Sequence, residues 1–174
     1  MSKDVKKLVF YAMAIALTCV ATMALAMPNF LVVNGYINLG DTMVILSGLI
    51  FGRVGGMVAG GIGSALADIL LAFPLYAPIT LLVKGLEGFI AGLFKNRIPK
   101  KYIGLVAILS AIWMVVGYFL FEMIFLYGFK GAIANLVGNL TQALVGALLA
   151  TIIYHSLDKI GLLVRLDAYF SENK

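Results

Sequence analysis

The sequence predicts an all-α integral membrane protein, a single bundle of six transmembrane helices with both termini cytoplasmic, and three observations support that class. The 174 residues are 63% hydrophobic and 12% charged, with a mean hydropathy of +1.06. Soluble domains are about 45–50% apolar and about 25% charged. A water-soluble fold of this length cannot hide so much apolar side chain, because much of any folded surface faces its solvent. Apolar runs close to the ~20 residues needed to cross a roughly 30 Å hydrocarbon core recur along the chain. Lysine and arginine, finally, fall almost entirely on one side of those runs.

The first span is expected over residues 8–27. Lys3 to Lys7 followed by an apolar run ending Ala24-Leu25-Ala26 also resembles a secretory signal with a small-residue cleavage site. The run is longer than a usual signal core, so it reads as a membrane span. Pro28 lacks an amide donor and stops the helix, and the polar stretch Asn29 to Asp41, with Asn34-Gly35, reads as a loop or turn. The 32 residues from Thr42 to Phe73 hold one plausible break, Gly52-Arg53, which gives a short second span over 42–51 and a third over 54–72. Phe73-Pro74 and Tyr76-Ala77-Pro78 form a tight turn before a fourth span over 79–94. The basic loop Lys95 to Lys101 precedes a fifth span over 103–127, and Gly128-Phe129-Lys130-Gly131 separates it from a sixth over 132–157. The amphipathic tail Leu162 to Phe170 is expected at the membrane interface.

Lysine and arginine in short loops are retained in the cytoplasm. With both ends inside, the inner segments hold Lys3, Lys6, Lys7, Arg53, Lys95, Arg97, Lys100, Lys101, Lys159, Arg165 and Lys174, and the outer loops hold Lys130 alone. An odd number of spans would place one charged terminus outside, so the break at Arg53 favours six over five. The formal charge of +5 does not signal nucleic acid, since the basic residues form short clusters between apolar runs and not one patch interleaved with aromatics. The single cysteine, Cys19, lies inside an apolar segment and provides neither a disulfide framework nor a cysteine metal site.

A charge at the bilayer centre costs about 2.5–3.5 kcal/mol on insertion scales, so buried ionisable residues are candidates for function. Asp68, Lys84, Glu87 and Glu122 qualify. Lys84 and Glu87, three apart, share a helical face and can offset each other's desolvation, either as a pair locking the fourth helix into the bundle or as part of a site. Asn135, Asn139 and Gln142 recur at i, i+4 and i+7 on one stripe of the sixth span. Their amides either bond neighbouring helices or line a pocket with donors and acceptors suited to a heteroaromatic ligand; the position of Asn135 near the outer end favours the pocket.

Gly52, Gly56 and Gly60 are spaced by four and let the third helix approach its neighbours closely. No Gly-Lys-Ser/Thr follows them, so the chain supplies no nucleotide site of its own. An intramembrane serine hydrolase built on Ser47 or Ser64 would need a base, but the only histidine, His155, is expected near the cytoplasmic end of the last span and Ser64 mid-membrane on the third, and no Gly-x-Ser-x-Gly elbow occurs. No metal-ligand cluster is visible in the sequence.

The stretch from Asn34 to Gly92 carries a resemblance. Gly35-Tyr36-Ile37-Asn38-Leu39-Gly40-Asp41, the glycine-rich helix ending Ala67-Asp68, then Pro74-Leu75-Tyr76-Ala77-Pro78 and Lys84-Gly85-Leu86-Glu87-Gly88, resemble the substrate-binding S components of energy-coupling factor (ECF) vitamin transporters. Length, span count and the later Glu122 and Asn135 to Gln142 signals agree with it. The resemblance implies capture of a vitamin or vitamin precursor from outside, in a pocket of the outer loops and the outer halves of the fourth to sixth helices. Asn38, Asp41, Tyr76, Lys84, Glu87, Glu122, Asn135, Asn139 and Gln142 would bind it. It also implies a transmembrane coupling subunit and two cytoplasmic ATPase subunits as partners, in a bacterial plasma membrane, with no cofactor on this chain. In such families small residues at Ala-x-x-x-Ala spacing on the first helix dock onto the coupling subunit, and Ala12 and Ala16 fit that pattern. Spacing alone supports only a smooth helical face, which ordinary packing would also use. Hydroxymethylpyrimidine is the favoured substrate, with pyridoxine and riboflavin next, because a carboxylate such as Glu122 can accept a hydrogen bond from an exocyclic amine. The alternative from another class is a self-sufficient ion-coupled secondary transporter using the four ionisable residues as a relay. It often brings inverted repeats, and none stands out here. A membrane scaffold with purely structural polar pairs is a third reading.

Overall fold

The computed structural model describes residues 3–24, 26–28 and 36–171. Its order is α1 (Lys3–Ala24), a two-residue antiparallel pairing of β1 (Met27–Pro28) with β2 (Tyr36–Ile37), α2 (Gly40–Leu70), α3 (Ala77–Leu93), a single 3-10 turn at Lys100–Tyr102, α4 (Ile103–Phe121), a π-helical turn over Glu122–Leu126, α5 (Gly128–Lys159) and α6 (Leu162–Ser171). The expected Asn34-Gly35 turn and Lys174 lie outside the described residues. α1 ends at Ala24, before the expected 27, and Pro28 falls in the strand pairing. α5 starts at Gly128, four residues before its expected start, because Gly128 takes the positive φ of 66° that reverses the chain out of the π turn.

The decisive local feature is Gly52. Its φ of 79° and ψ of −170° interrupt the helix where the sequence marks a break. A Cβ built on Gly56 would lie 2.5 Å from the Cα of Gly48, whereas residues eight apart in one straight helix are about 12 Å apart. The chain therefore doubles back: residues 40–51 and 53–70 form two antiparallel arms of α2. α3 lies against both, since the same Gly56 position would meet the Gly88 carbonyl at 2.2 Å and Gly48 would meet it at 2.4 Å. Three backbones converge on this glycine layer, a closeness that small residues permit and any side chain blocks.

These reversals sort the chain into two ends. At one, β1–β2, the start of α2, the turn before α3 and the π turn meet; Thr22 of α1 lies beside Gly40 and Tyr76 reaches Glu122 and Tyr127. The other end is basic. There Lys95 Nζ donates to the Ile50 carbonyl at 2.5 Å beside the Gly52 reversal and pairs with Asp167 of α6 at 2.8 Å. Lys100 pairs with Asp158 at 2.6 Å. Phe10 of α1 packs on Phe51 and Tyr169, and Lys6 sits 4.1 Å from the Tyr169 ring, so α6 folds across the feet of α1 and α2.

The core lies between the first arm of α2, α3, α4 and α5, around Ile45, Leu49, Val83, Met114 and Ala147. Large apolar side chains such as Leu82, Leu105, Ile112, Leu144 and Leu148 remain exposed on the outer faces, the pattern of helices whose solvent is lipid. Among the described residues, Asp4–Ala24, Gly40–Leu70, Lys100–Leu126 and Gly128–Lys159 are long and apolar enough to cross a membrane. The second of these contains the Gly52 reversal, and the 17 residues of α3 extend about 26 Å.

Candidate functional site

Lys84 lies midway along α3, about two turns from the nearer helix end, and is 3% exposed. An ammonium there must be matched. Its Nζ forms an ion pair with Asp41 Oδ1 and lies 3.4 Å from Glu87 Oε2, one turn along the same helix. The sequence places Asp41 in a loop; in the structure it is in the first turn of α2 and fully buried. The correction has a physical cause, because a helix N-terminus favours a carboxylate and the Lys84 charge secures it. Gln142 of α5 donates Nε2–H to Asp41 Oδ2 at 2.9 Å, and its Oε1 accepts the Asn38 amide at 2.9 Å. Asn38 Oδ1 in turn accepts the Gly40 amide at 2.7 Å. A continuous network thus runs from the segment entering α2, through α5, to the lysine of α3.

A second cluster lies nearer the end of the bundle. The Tyr76 hydroxyl lies 3.4 Å from Glu122 Oε1 and 3.2 Å from the Tyr127 hydroxyl. Burial, together with the Tyr127 hydrogen bond and the Glu122 charge, pushes the Tyr76 phenol well above its ordinary range, so it stays a donor at any physiological pH. Glu122, at the start of the π turn, also takes a hydrogen bond from the Asn135 side chain. Between the clusters, the Thr80 and Tyr118 hydroxyls are 2.8 Å apart.

These groups face one cavity of about 500 Å³, including its open mouth, lined by Asn38, Asp68, Phe73, Tyr76, Thr80, Lys84, Tyr118, Glu122, Asn135, Asn139 and Gln142. Of the expected binding residues, Asn38, Tyr76, Lys84, Glu122, Asn135, Asn139 and Gln142 line it, while Asp41 and Glu87 stand behind Lys84 as its counter-charges. Glu122 Oε2 and Asn139 Nδ2 have no hydrogen-bond partner among the described residues. They offer an acceptor and a donor to a ligand. Sequence reasoning missed Phe73, Thr80 and Tyr118. Two were within reach: Thr80 precedes Lys84 by four and Tyr118 precedes Glu122 by four, so each shares the face of a residue already singled out. Ala12 and Ala16 are exposed on α1, on the side opposite the buried Ala14, Thr18 and Thr22.

A family described as ECF-type riboflavin transporter, S component, matches residues 2–159. The chain belongs to this family. It is 30% identical over 162 residues, 93% of each chain, to the thiamine precursor transporter HmpT of Lactococcus lactis subsp. cremoris (strain MG1363). It is 41% identical over 117 residues, 67% of this chain and 78% of the other, to a Pyrococcus woesei protein described as an uncharacterized protein in a gap 3' region. The chain is therefore a multi-pass membrane S component of vitamin uptake, a transport subunit and not an enzyme. S components bind a small vitamin and work with membrane and ATPase subunits.

Proposed function

We propose that this S component captures an aminopyrimidine vitamin precursor, hydroxymethylpyrimidine first, with pyridoxine and riboflavin as the next candidates. The observation that carries the reading is a pair of unpartnered polar atoms, Glu122 Oε2 and Asn139 Nδ2, on two residues that line the cavity. An aminopyrimidine presents an exocyclic N–H donor beside a ring-nitrogen acceptor, which a carboxylate oxygen and an amide N–H complement. Phe73, Tyr76 and Tyr118 supply aromatic faces around the ring. The thiamine-precursor designation of the Lactococcus relative points the same way.

In this reading the two arms of α2 and the other four long helices make six crossings of the cell membrane, with the basic end cytoplasmic and the cavity outward. A transmembrane coupling subunit and two cytoplasmic ATPases drive reorientation of the whole subunit. α1 docks it through the exposed face of Ala12 and Ala16.

Two experiments test these assignments. Labelled hydroxymethylpyrimidine, pyridoxine and riboflavin are titrated onto the purified chain; micromolar or tighter binding of the pyrimidine is expected, weakened at least about tenfold by Glu122→Gln, the cost of one charge-assisted hydrogen bond. Binding of none of the three would sink the substrate assignment. Ala12→Leu and Ala16→Leu are expected to abolish co-purification with the coupling subunit and leave ligand affinity unchanged; loss of affinity with normal assembly would mean that α1 serves the cavity instead.

A further inference from the structure

The charges around the cavity do not balance. Lys84 and Glu122 line it, and Asp41 and Glu87 stand on Lys84, so among the described residues three carboxyl groups share one ammonium. Two of the three would have to hold protons before the sum reached zero, and all three before it turned positive. The one cation on the wall among the described residues is already matched, because Lys84 Nζ is engaged by Asp41 and lies 3.4 Å from Glu87. Among the described residues no arginine lines the cavity, and Lys130, also at this end, is exposed at the start of α5. Glu122 lines the cavity and is 3% exposed, and its Oε2 has no hydrogen-bond partner among the described residues.

We propose that the cavity selects by charge, admitting neutral or cationic heterocycles and turning away the phosphate esters of the same compounds. A phosphate ester carries about −1.5 to −2 charges at pH 7, and its recognition calls for unmatched cations or a guanidinium fork. This site offers no unmatched cation among the described residues, and in its partly dehydrated space any carboxylate left ionised repels an anion far more strongly than in water. Glu87 becomes a specificity residue that never touches the ligand: by holding Lys84 it removes the one group that could receive an anion. The inference rests on the cavity being the substrate site proposed above, but not on which vitamin fills it.

The test reads the cavity's charge directly. Asn139→Cys is introduced into the full chain in a Cys19→Ala background, and the purified protein is labelled with methanethiosulfonates of similar size bearing a trimethylammonium, a hydroxyl or a sulfonate. Each rate is normalised to that reagent's rate with a free thiol. The cationic reagent is expected to outpace the anionic one by about tenfold or more, and Glu122→Gln or Glu87→Gln in the same background to narrow that ratio. Equal rates, or a faster sulfonate, would overturn the proposal, as would a thiol reached by none of the three. If Glu87→Gln fails to fold, Glu122→Gln carries the comparison. A binding arm pairs hydroxymethylpyrimidine with its phosphate ester and riboflavin with its own, each ester being expected to bind about 100-fold more weakly. Failure of every vitamin to bind sinks the substrate assignment and leaves the labelling ratio standing; equal binding of an alcohol and its ester overturns the charge selection alone.

Discussion

Lys84→Met is expected to lower the melting temperature of the purified protein by roughly 6–20 °C, the equivalent of about 3–5 kcal/mol at about 2–4 °C per kcal/mol for a chain of this size. Methionine keeps most of the volume and removes the ammonium, leaving Asp41 and Glu87, both fully buried, without their counter-charge. Gln142 still donates to Asp41, but one amide does not offset two carboxylates in a dehydrated interior. Ligand binding is expected to fall with stability, because the network from Asn38 through Gln142 to Lys84 shapes one wall of the cavity. The double variant Lys84→Met with Asp41→Asn is expected to recover part of the loss, a coupling that a thermodynamic cycle isolates. A single variant melting within about 2 °C of the parent would show that the pair contributes less than about 1 kcal/mol to the fold.

That pair also marks the boundary of what the sequence reveals. Lys84 and Glu87 stand out because a charge inside an apolar helix is costly wherever it lies, and the i, i+3 spacing places them on one face. The partner Asp41 is 43 positions away, in a polar stretch that reads as loop, and no local pattern states that α2 begins there or that α3 lies against it. The same contrast holds at Gly52. A mainly apolar run of 32 residues interrupted by Gly-Arg announces a break, since one straight helix of that length would overreach the membrane. The identity of the residues that meet after the reversal depends on the register between helices, which packing alone decides. On α5 the i, i+4, i+7 stripe of Asn135, Asn139 and Gln142 was legible as one polar face. Its division of labour was not, with Asn135 on Glu122, Gln142 on Asp41 and Asn139 facing the cavity.

Gly56→Ala tests how that register is held, and it is expected to be among the most damaging single-methyl changes in the chain. The new Cβ would fall 2.2 Å from the Gly88 carbonyl oxygen and 2.5 Å from the Gly48 Cα. Both are backbone atoms, so no rotamer change relieves the clash and the two arms of α2 and α3 must separate. Overpacking a tight core costs about 1–3 kcal/mol, and more where backbones cannot yield. Gly88→Ala meets the Gly56 carbonyl at 2.1 Å and is expected to do the same; combining the two should cost less than their sum, because one separation accommodates both methyls. Gly161→Ala provides the contrast. Gly161 has a φ of 72° with nothing within 4 Å of its Cβ position, so alanine there costs only the left-handed backbone, about 1–2 kcal/mol. The consequence for function follows from geometry. α3 carries both Lys84 and Thr80 into the cavity, so pushing it off α2 at Gly56 withdraws Lys84 from Asp41 as well. Ligand affinity of any Gly56→Ala protein that still folds is therefore expected to drop at least about tenfold, since the buried pair is then broken, while Gly161→Ala, at the opposite end of the bundle, binds as the parent does. Parent-like affinity in Gly56→Ala would show that the glycine layer and the cavity are mechanically independent.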